Sequence, residues 1–75
     1  MADTFWRAEV YRNGNLYNVD FPPRATAEEC LADLADHAFT DADTASVSEW
    51  EGDQEQSTNT GRHYNVDLAT MQLRP

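Results

Sequence analysis

Apolar and polar residues alternate with period two over Phe5 to Arg12 and again over Leu16 to Phe21, with Asn13-Gly14 between the two runs. Period two is the signature of a half-buried strand, and Asn-Gly is the dipeptide best suited to a type I′ hairpin turn, which needs positive φ at both central residues. With Asn13 and Gly14 as the loop, Trp6 faces Phe21, Ala8 faces Val19 and Val10 faces Tyr17 on one face, while Arg7 faces Asp20 on the other. Moving the turn to Gly14-Asn15 shifts the pairing by two positions and keeps the faces; a one-residue slip would bury the charges.

The period changes to 3.6 at Thr26, and the spacing predicts a helix over Thr26 to Phe39. Pro22 and Pro23 disfavour an earlier start, and Thr26 with Glu29 makes a capping box. Ala27, Cys30, Leu31, Leu34, Ala35 and Ala38 form one apolar stripe. Glu29, Asp33 and Asp36 form a second stripe on the polar side, where like charges oppose one another and no lysine or arginine within the helix relieves them. No glycine marks the helix end, and Thr40 to Ser46 reads as a polar exit loop.

Val47 to Glu55 reads as a third strand, with Ser48, Trp50 and Gly52 on one face and Val47, Glu49, Glu51, Asp53 and Glu55 on the other. Trp50 is the residue that most wants burial, which places it under the helix and the carboxylates on the far side. Gln56 to Gly61 reads as a turn, and Arg62 to Leu73 as a fourth strand with Tyr64, Val66 and Leu68 inward. Met71 and Leu73 have the opposite parity, so a bulge, a bend or the end of the sheet is expected near Ala69-Thr70. Tyr-Asn-Val-Asp occurs at both 17–20 and 64–67, too short a recurrence to establish a repeat.

The order is ββαββ, an α+β two-layer sandwich in which one helix covers one face of a four-stranded antiparallel sheet. The expected core is Trp6, Ala8, Val10, Tyr17, Val19, Phe21, Cys30, Leu31, Leu34, Ala35, Ala38, Trp50, Tyr64, Val66 and Leu68. One helix leaves the other sheet face open, with Phe5, Tyr11, Leu16 and Met71 among charges. Scattered surface apolars are ordinary; a homodimer through the helix-free face would also account for them.

At 75 residues the chain is expected to be a single domain over 1–75, hiding about 60% of its unfolded surface. Fourteen acidic residues against five arginines and no lysine give a net charge of −9, which disfavours direct binding to nucleic acid or an anionic membrane and favours a basic partner. Acidity also keeps a small protein soluble, and a lysine-free acidic composition is one that proteins of high-salt organisms share. The single cysteine, Cys30, lies on the apolar stripe and suits a reducing compartment. The first residues show no secretory pattern and no apolar run spans a membrane, so the expectation is a soluble cytoplasmic protein.

Two separated histidines and one cysteine do not make a zinc spacing, Asp41-Ala-Asp43 lacks the rest of a calcium loop, and isolated glycines cradle no phosphate. Neither a catalytic site, a metal nor a cofactor is expected. Glu49, Glu51, Asp53 and Glu55 would instead project from one strand face roughly 6.6–6.8 Å apart, commensurate with every second phosphate of a nucleic acid strand at about 3.4 Å. With Glu29, Asp33, Asp36 and the exposed aromatic Tyr11 they form the candidate partner-binding set. An acidic edge strand that merely resists aggregation has the same pattern.

In its size, acid excess and ββαββ layout the chain resembles phage-encoded anti-CRISPR proteins and related nucleic-acid mimics. That resemblance implies a non-enzymatic inhibitor whose row, Glu49 to Glu55, docks on a basic protein or ribonucleoprotein, such as a CRISPR effector complex, where target DNA would bind. Over Leu16 to Phe39 the pattern Tyr17-x-Val-x-Phe-Pro followed by Thr26-x-Glu-Glu-x-Leu is similar to the hairpin-to-helix passage of HicB-type antitoxins, which implies an interaction domain neutralising an RNA-cleaving toxin.

Overall fold

The computed structural model describes residues 3–17, 21–53 and 56–75. Along the chain run β1 (Thr4–Arg12), β2 (Asn15–Tyr17), α1 (Ala27–Ala35), β3 (Asp43–Gly52), β4 (Ser57–Asp67) and β5 (Gln72–Arg74). The strands form one antiparallel sheet in the order β2-β1-β3-β4-β5, with α1 packed on β1 and β3. The fold is α+β as expected, but the sheet has five strands rather than four. The extra strand arises where the parity reverses: the chain turns through 68–71, Met71 adopts φ 55°, and Leu73 returns to pair with Val66 on the same face.

The first hairpin forms in the expected register, Val10 opposite Tyr17, with Asn13 at φ 55° and Gly14 at φ 81°. Further along β1 the partner is different. Trp6 exchanges backbone hydrogen bonds with Arg24, at 2.7 and 2.8 Å, instead of pairing with Phe21. Pro22 and Pro23 have no N–H to give a ladder, and Arg24 is the first residue beyond them that can both donate and accept. Val19 and Asp20, expected opposite Ala8 and Arg7, lie outside the described residues.

Thr26 caps α1: its Oγ accepts from the Glu29 N–H at 3.2 Å while its hydroxyl donates to the Glu29 carboxylate at 3.3 Å. The helix ends at Ala35, a turn earlier than the sequence predicts, with Asp36 as its C-cap. Beyond it His37 lies between Phe21 and Phe39, with ring centroids 5.6 and 5.2 Å away. This aromatic clustering draws Phe39 back onto the core from the loop, leaving Ala35 and Ala38 exposed.

The core consists of Trp6, Val10, Ala27, Cys30, Leu34, Ala45, Val47 and Val66. Trp6 stacks on Tyr64 at 5.7 Å. Met71, expected on the helix-free face, packs against this core, and Tyr17, expected within it, is 39% exposed.

The largest departure is in β3, which begins at Asp43, inside the expected loop, and pairs with β1 along its full length from Arg12–Asp43 to Thr4–Glu51. Residues paired across an antiparallel sheet share a face, so Asp43, Ala45, Val47 and Glu49 lie with Arg12, Val10, Ala8 and Trp6 beneath α1. Trp50 pairs with Phe5 and points away from the helix. β4 likewise starts earlier than expected, at Ser57, and a bulge between Ser48 and Trp50 is filled by Thr60, Gly61 and Arg62, with Gly61 at φ 89°.

Leu34 has no exposed surface, so Leu34→Ala is expected to destabilise by about 2–5 kcal/mol in urea unfolding. Cys30 is fully enclosed, and desolvation with help from Asp33 raises its thiol to about 11. A disulfide reagent at neutral pH is expected to modify it only at the rate of global unfolding, with urea accelerating the reaction in parallel with loss of the far-UV signal.

Candidate functional site

Four of the five arginines are held by carboxylates within the fold. Arg12 and Asp43 face each other across β1 and β3. The guanidinium donates through Nε at 2.7 Å and through a second nitrogen at 3.1 Å, and its plane lies 4.0 Å from the Tyr17 ring centroid. The Asp43 side chain is wholly enclosed and also accepts from the Thr40 N–H at 2.9 Å. Its pKa is lowered to about 2, first by Arg12 and then by Thr40. Arg24, fixed by its bridge to Trp6, donates twice to Asp33, at 2.7 and 2.8 Å, and holds that carboxyl below its ordinary range. Arg74 pairs with Asp67 across β4 and β5 and lowers its pKa in the same way.

The fourth pair changes the expected acidic row. Glu49 is 8% exposed, accepts from the Thr60 hydroxyl at 2.9 Å and meets Arg62 at 3.4 Å, with the Arg62 guanidinium above Trp6. Glu49 therefore closes the β4 bulge from inside. Glu51, two residues on, is exposed on the same side of the sheet as α1. Asp53 lies past the end of β3, where its carboxylate accepts from the Gln56 N–H at 2.6 Å and closes the turn into β4. Glu55 lies outside the described residues. A uniform row from 49 to 55 on the far face is thus replaced by one enclosed carboxylate, one exposed on the helix side and one in a turn.

The helical set divides as well. Glu29 stays exposed in the first turn of α1, Asp33 is engaged by Arg24, and Asp36 is exposed at the opposite end of the helix. Because Arg24 bridges Trp6 and α1 starts three residues later, the first turn of the helix lies towards the Thr4 end of the sheet, the end where Glu51 pairs with Thr4. Glu28, beside Glu29, and Asp3, whose carbonyl accepts from Gly52, belong to the same end and are exposed. Neither was singled out by sequence pattern, although Glu28 could have been, since acids gather in the first turn of a helix where the backbone N–H groups are unpaired. The site that emerges is an acidic end built from Asp3, Glu28, Glu29, Glu51 and Asp53.

The chain matches no family model, no curated protein and no solved structure.

Among the described residues no group of three histidine, cysteine or carboxylate side chains is arranged to hold a metal ion, and no helix is long and apolar enough to cross a membrane. Tyr11 lies on the helix-free face. Its hydroxyl donates to Glu9 at 2.8 Å, which raises its pKa, and with Thr44, Ser46 and Asn65 it borders an open depression of about 390 Å³.

The lowered carboxyl pKa values of Asp33, Asp43 and Asp67 fix a sign for stability against pH. A folded-state pKa below the unfolded value of about 3.9 gives stabilisation that is complete above that value and lost as pH falls through the folded pKa. The melting temperature is expected to hold steady at neutral and mildly acidic pH and to drop between pH near 4 and pH near 2. Asp43→Asn should melt lower at neutral pH and show a shallower drop in that acid window, as measured by circular dichroism.

Proposed function

We propose that this protein is a non-enzymatic inhibitor that binds a basic, nucleic-acid-binding surface of a bacterial defence complex in the host cytoplasm, as anti-CRISPR proteins do, and blocks DNA or RNA engagement. The observation that carries this reading is the division of charge. Among the described residues four carboxylates hold arginines within the fold, while Asp3, Glu28, Glu29 and Glu51 stay exposed towards the Thr4 end of the sheet. Strand β3 presents Glu51 and a capped helix end presents Glu28 and Glu29, their backbones fixed by the sheet ladder and the Thr26 cap. A rigid anionic surface of this kind loses little entropy when arginines and lysines of a phosphate groove close on it, and complementary fields speed the encounter. The mimicry rests on this clustered end rather than on a linear row at strand spacing. The partner class is a protein or ribonucleoprotein whose groove is lined by arginine and lysine.

Reversing Glu28, Glu29 and Glu51 together to arginine is expected to weaken inhibition of a crRNA-guided effector complex by roughly tenfold or more, with each new like-charge contact opposing binding. The corresponding glutamine variant, which leaves the helix start less perturbed, should lose affinity in the same direction while its circular-dichroism spectrum stays folded. The wild type should be displaced by excess target DNA and should bind less tightly as salt rises. Unchanged inhibition by both triple variants, or rescue of cells from an RNA-cleaving toxin without any effect on an effector complex, would overturn the reading.

A further inference from the structure

β1 turns four residues away from α1: Phe5, Arg7, Glu9 and Tyr11, each half-buried on the helix-free face. In order they are aromatic, cation, anion, aromatic, a pattern that reads the same in both directions, apart from the sign of charge, about Ala8. A two-fold axis lying along the face and crossing β1 at Ala8 would set Arg7 against the partner's Glu9 and Phe5 against the partner's Tyr11. The neighbouring strand obeys the same operation. Its register places Trp50, Ser48, Ser46 and Thr44 beside Phe5, Arg7, Glu9 and Tyr11, so Ser48 meets the partner's Ser46 and Trp50 meets the partner's Thr44. Two serines at the centre leave room for sheets to approach to about 10 Å.

The charges on this face are arranged for such a contact. Arg7 is the one arginine outside the four ion pairs; among the described residues its guanidinium meets only the Phe5 ring, 5.6 Å from its centroid. Glu9 takes the Tyr11 hydroxyl on one oxygen, leaving the other without a donor among the described residues. Arg7 balances Glu9 and Arg74 balances Asp67, so this face is close to neutral on a chain of net charge −9. Two copies can meet here without opposing like charges. Three strands of nine to eleven residues and two of three, about 4.8 Å apart with a rise of about 3.4 Å per residue, present roughly 600 Å², the lower end of the standard range per partner.

We infer that the protein forms an isologous dimer through its helix-free sheet face, with Arg7 of each copy paired to the partner's Glu9 and Phe5 packed on the partner's Tyr11. The dimer leaves both acidic ends exposed, so it is independent of the inhibitor reading and is tested without a target. Sedimentation velocity of the wild type at moderate salt is expected to give about 17 kDa, twice the 8.5 kDa chain. Arg7→Glu and Glu9→Arg should each raise the dimer dissociation constant by roughly tenfold or more, because each sets like charges together. The double variant should recover most of the loss, since the exchanged charges pair again across the axis. Phe5→Ala should weaken the dimer without a charge change, and Glu28→Gln, on the helix side, should leave it intact; near-UV circular dichroism checks that each variant keeps its fold. A wild type sedimenting as a monomer at high micromolar loading, as expected if this face serves a different partner, overturns the inference. So does a double variant no better than the singles.

Discussion

The Arg12–Asp43 pair is the constraint from which the rest of the arrangement follows. It joins the last residue of β1 to the first residue of β3, and the Asp43 carboxylate is fully enclosed with three donors around it. A buried carboxylate is tolerated only where its hydrogen bonds are complete, so the pair admits one register. With Arg12 opposite Asp43, every later rung of β1 and β3 is determined as far as Thr4 and Glu51. Parity does the rest: Ala45 and Val47 fall beneath the helix, Glu49 falls inside with them, and Trp50 is turned to the opposite face.

The features legible in the sequence were those set by local chemistry. Asn13-Gly14 dictates its own turn, and Thr26 with Glu29 dictates the helix start. The parity break near Ala69-Thr70 marked the site that became the turn into β5. What could not be read was set by partners distant in the chain. Of Asp43-Thr-Ala-Ser only Thr44 favours a strand; the segment becomes one because Arg12, 31 positions earlier, neutralises its first residue. Judging β3 from Val47 onward made the bulk of Trp50 decide which face was inward, whereas the full strand contains two further inward positions that outweigh it. Glu49 illustrates the same limit for the candidate site. Its spacing matched an exposed row, but the threonine and arginine that enclose it come from the β4 bulge, which no periodicity announces. Glu29 and Glu51 stay exposed, and neither forms an ion pair with an arginine among the described residues.

The resulting molecule separates its charges by function of place. Arginines are used to satisfy carboxylates that the packing encloses or half-encloses, while exposed acids collect at the helix start and the adjoining sheet end, where the unpaired N–H groups of α1 favour negative charge. The helix-free face stays near neutral and carries Phe5, Tyr11 and Trp50. A chain of 75 residues thus presents two surfaces of different character, one suited to a cationic groove and one to a contact of balanced charge and aromatic rings.

The bulge in β4 bears on how the sheet ends. β5 covers only Asn65–Asp67, so the outer side of β4 from Ser57 to Tyr64 has no strand beside it among the described residues. A long bare edge of this sort ordinarily templates amyloid-like growth. Here the strand occupies its own amides: the Gly61 N–H donates to the Asn59 side chain at 2.8 Å and the Arg62 N–H to the Thr60 hydroxyl at 3.3 Å. An incoming strand would have to displace both bonds at the point where the backbone is already bent out of register. The bulge that encloses Glu49 therefore also stops the sheet from lengthening sideways, and a chain with no lysine to guard its borders acquires resistance to fibre formation from geometry instead of charge.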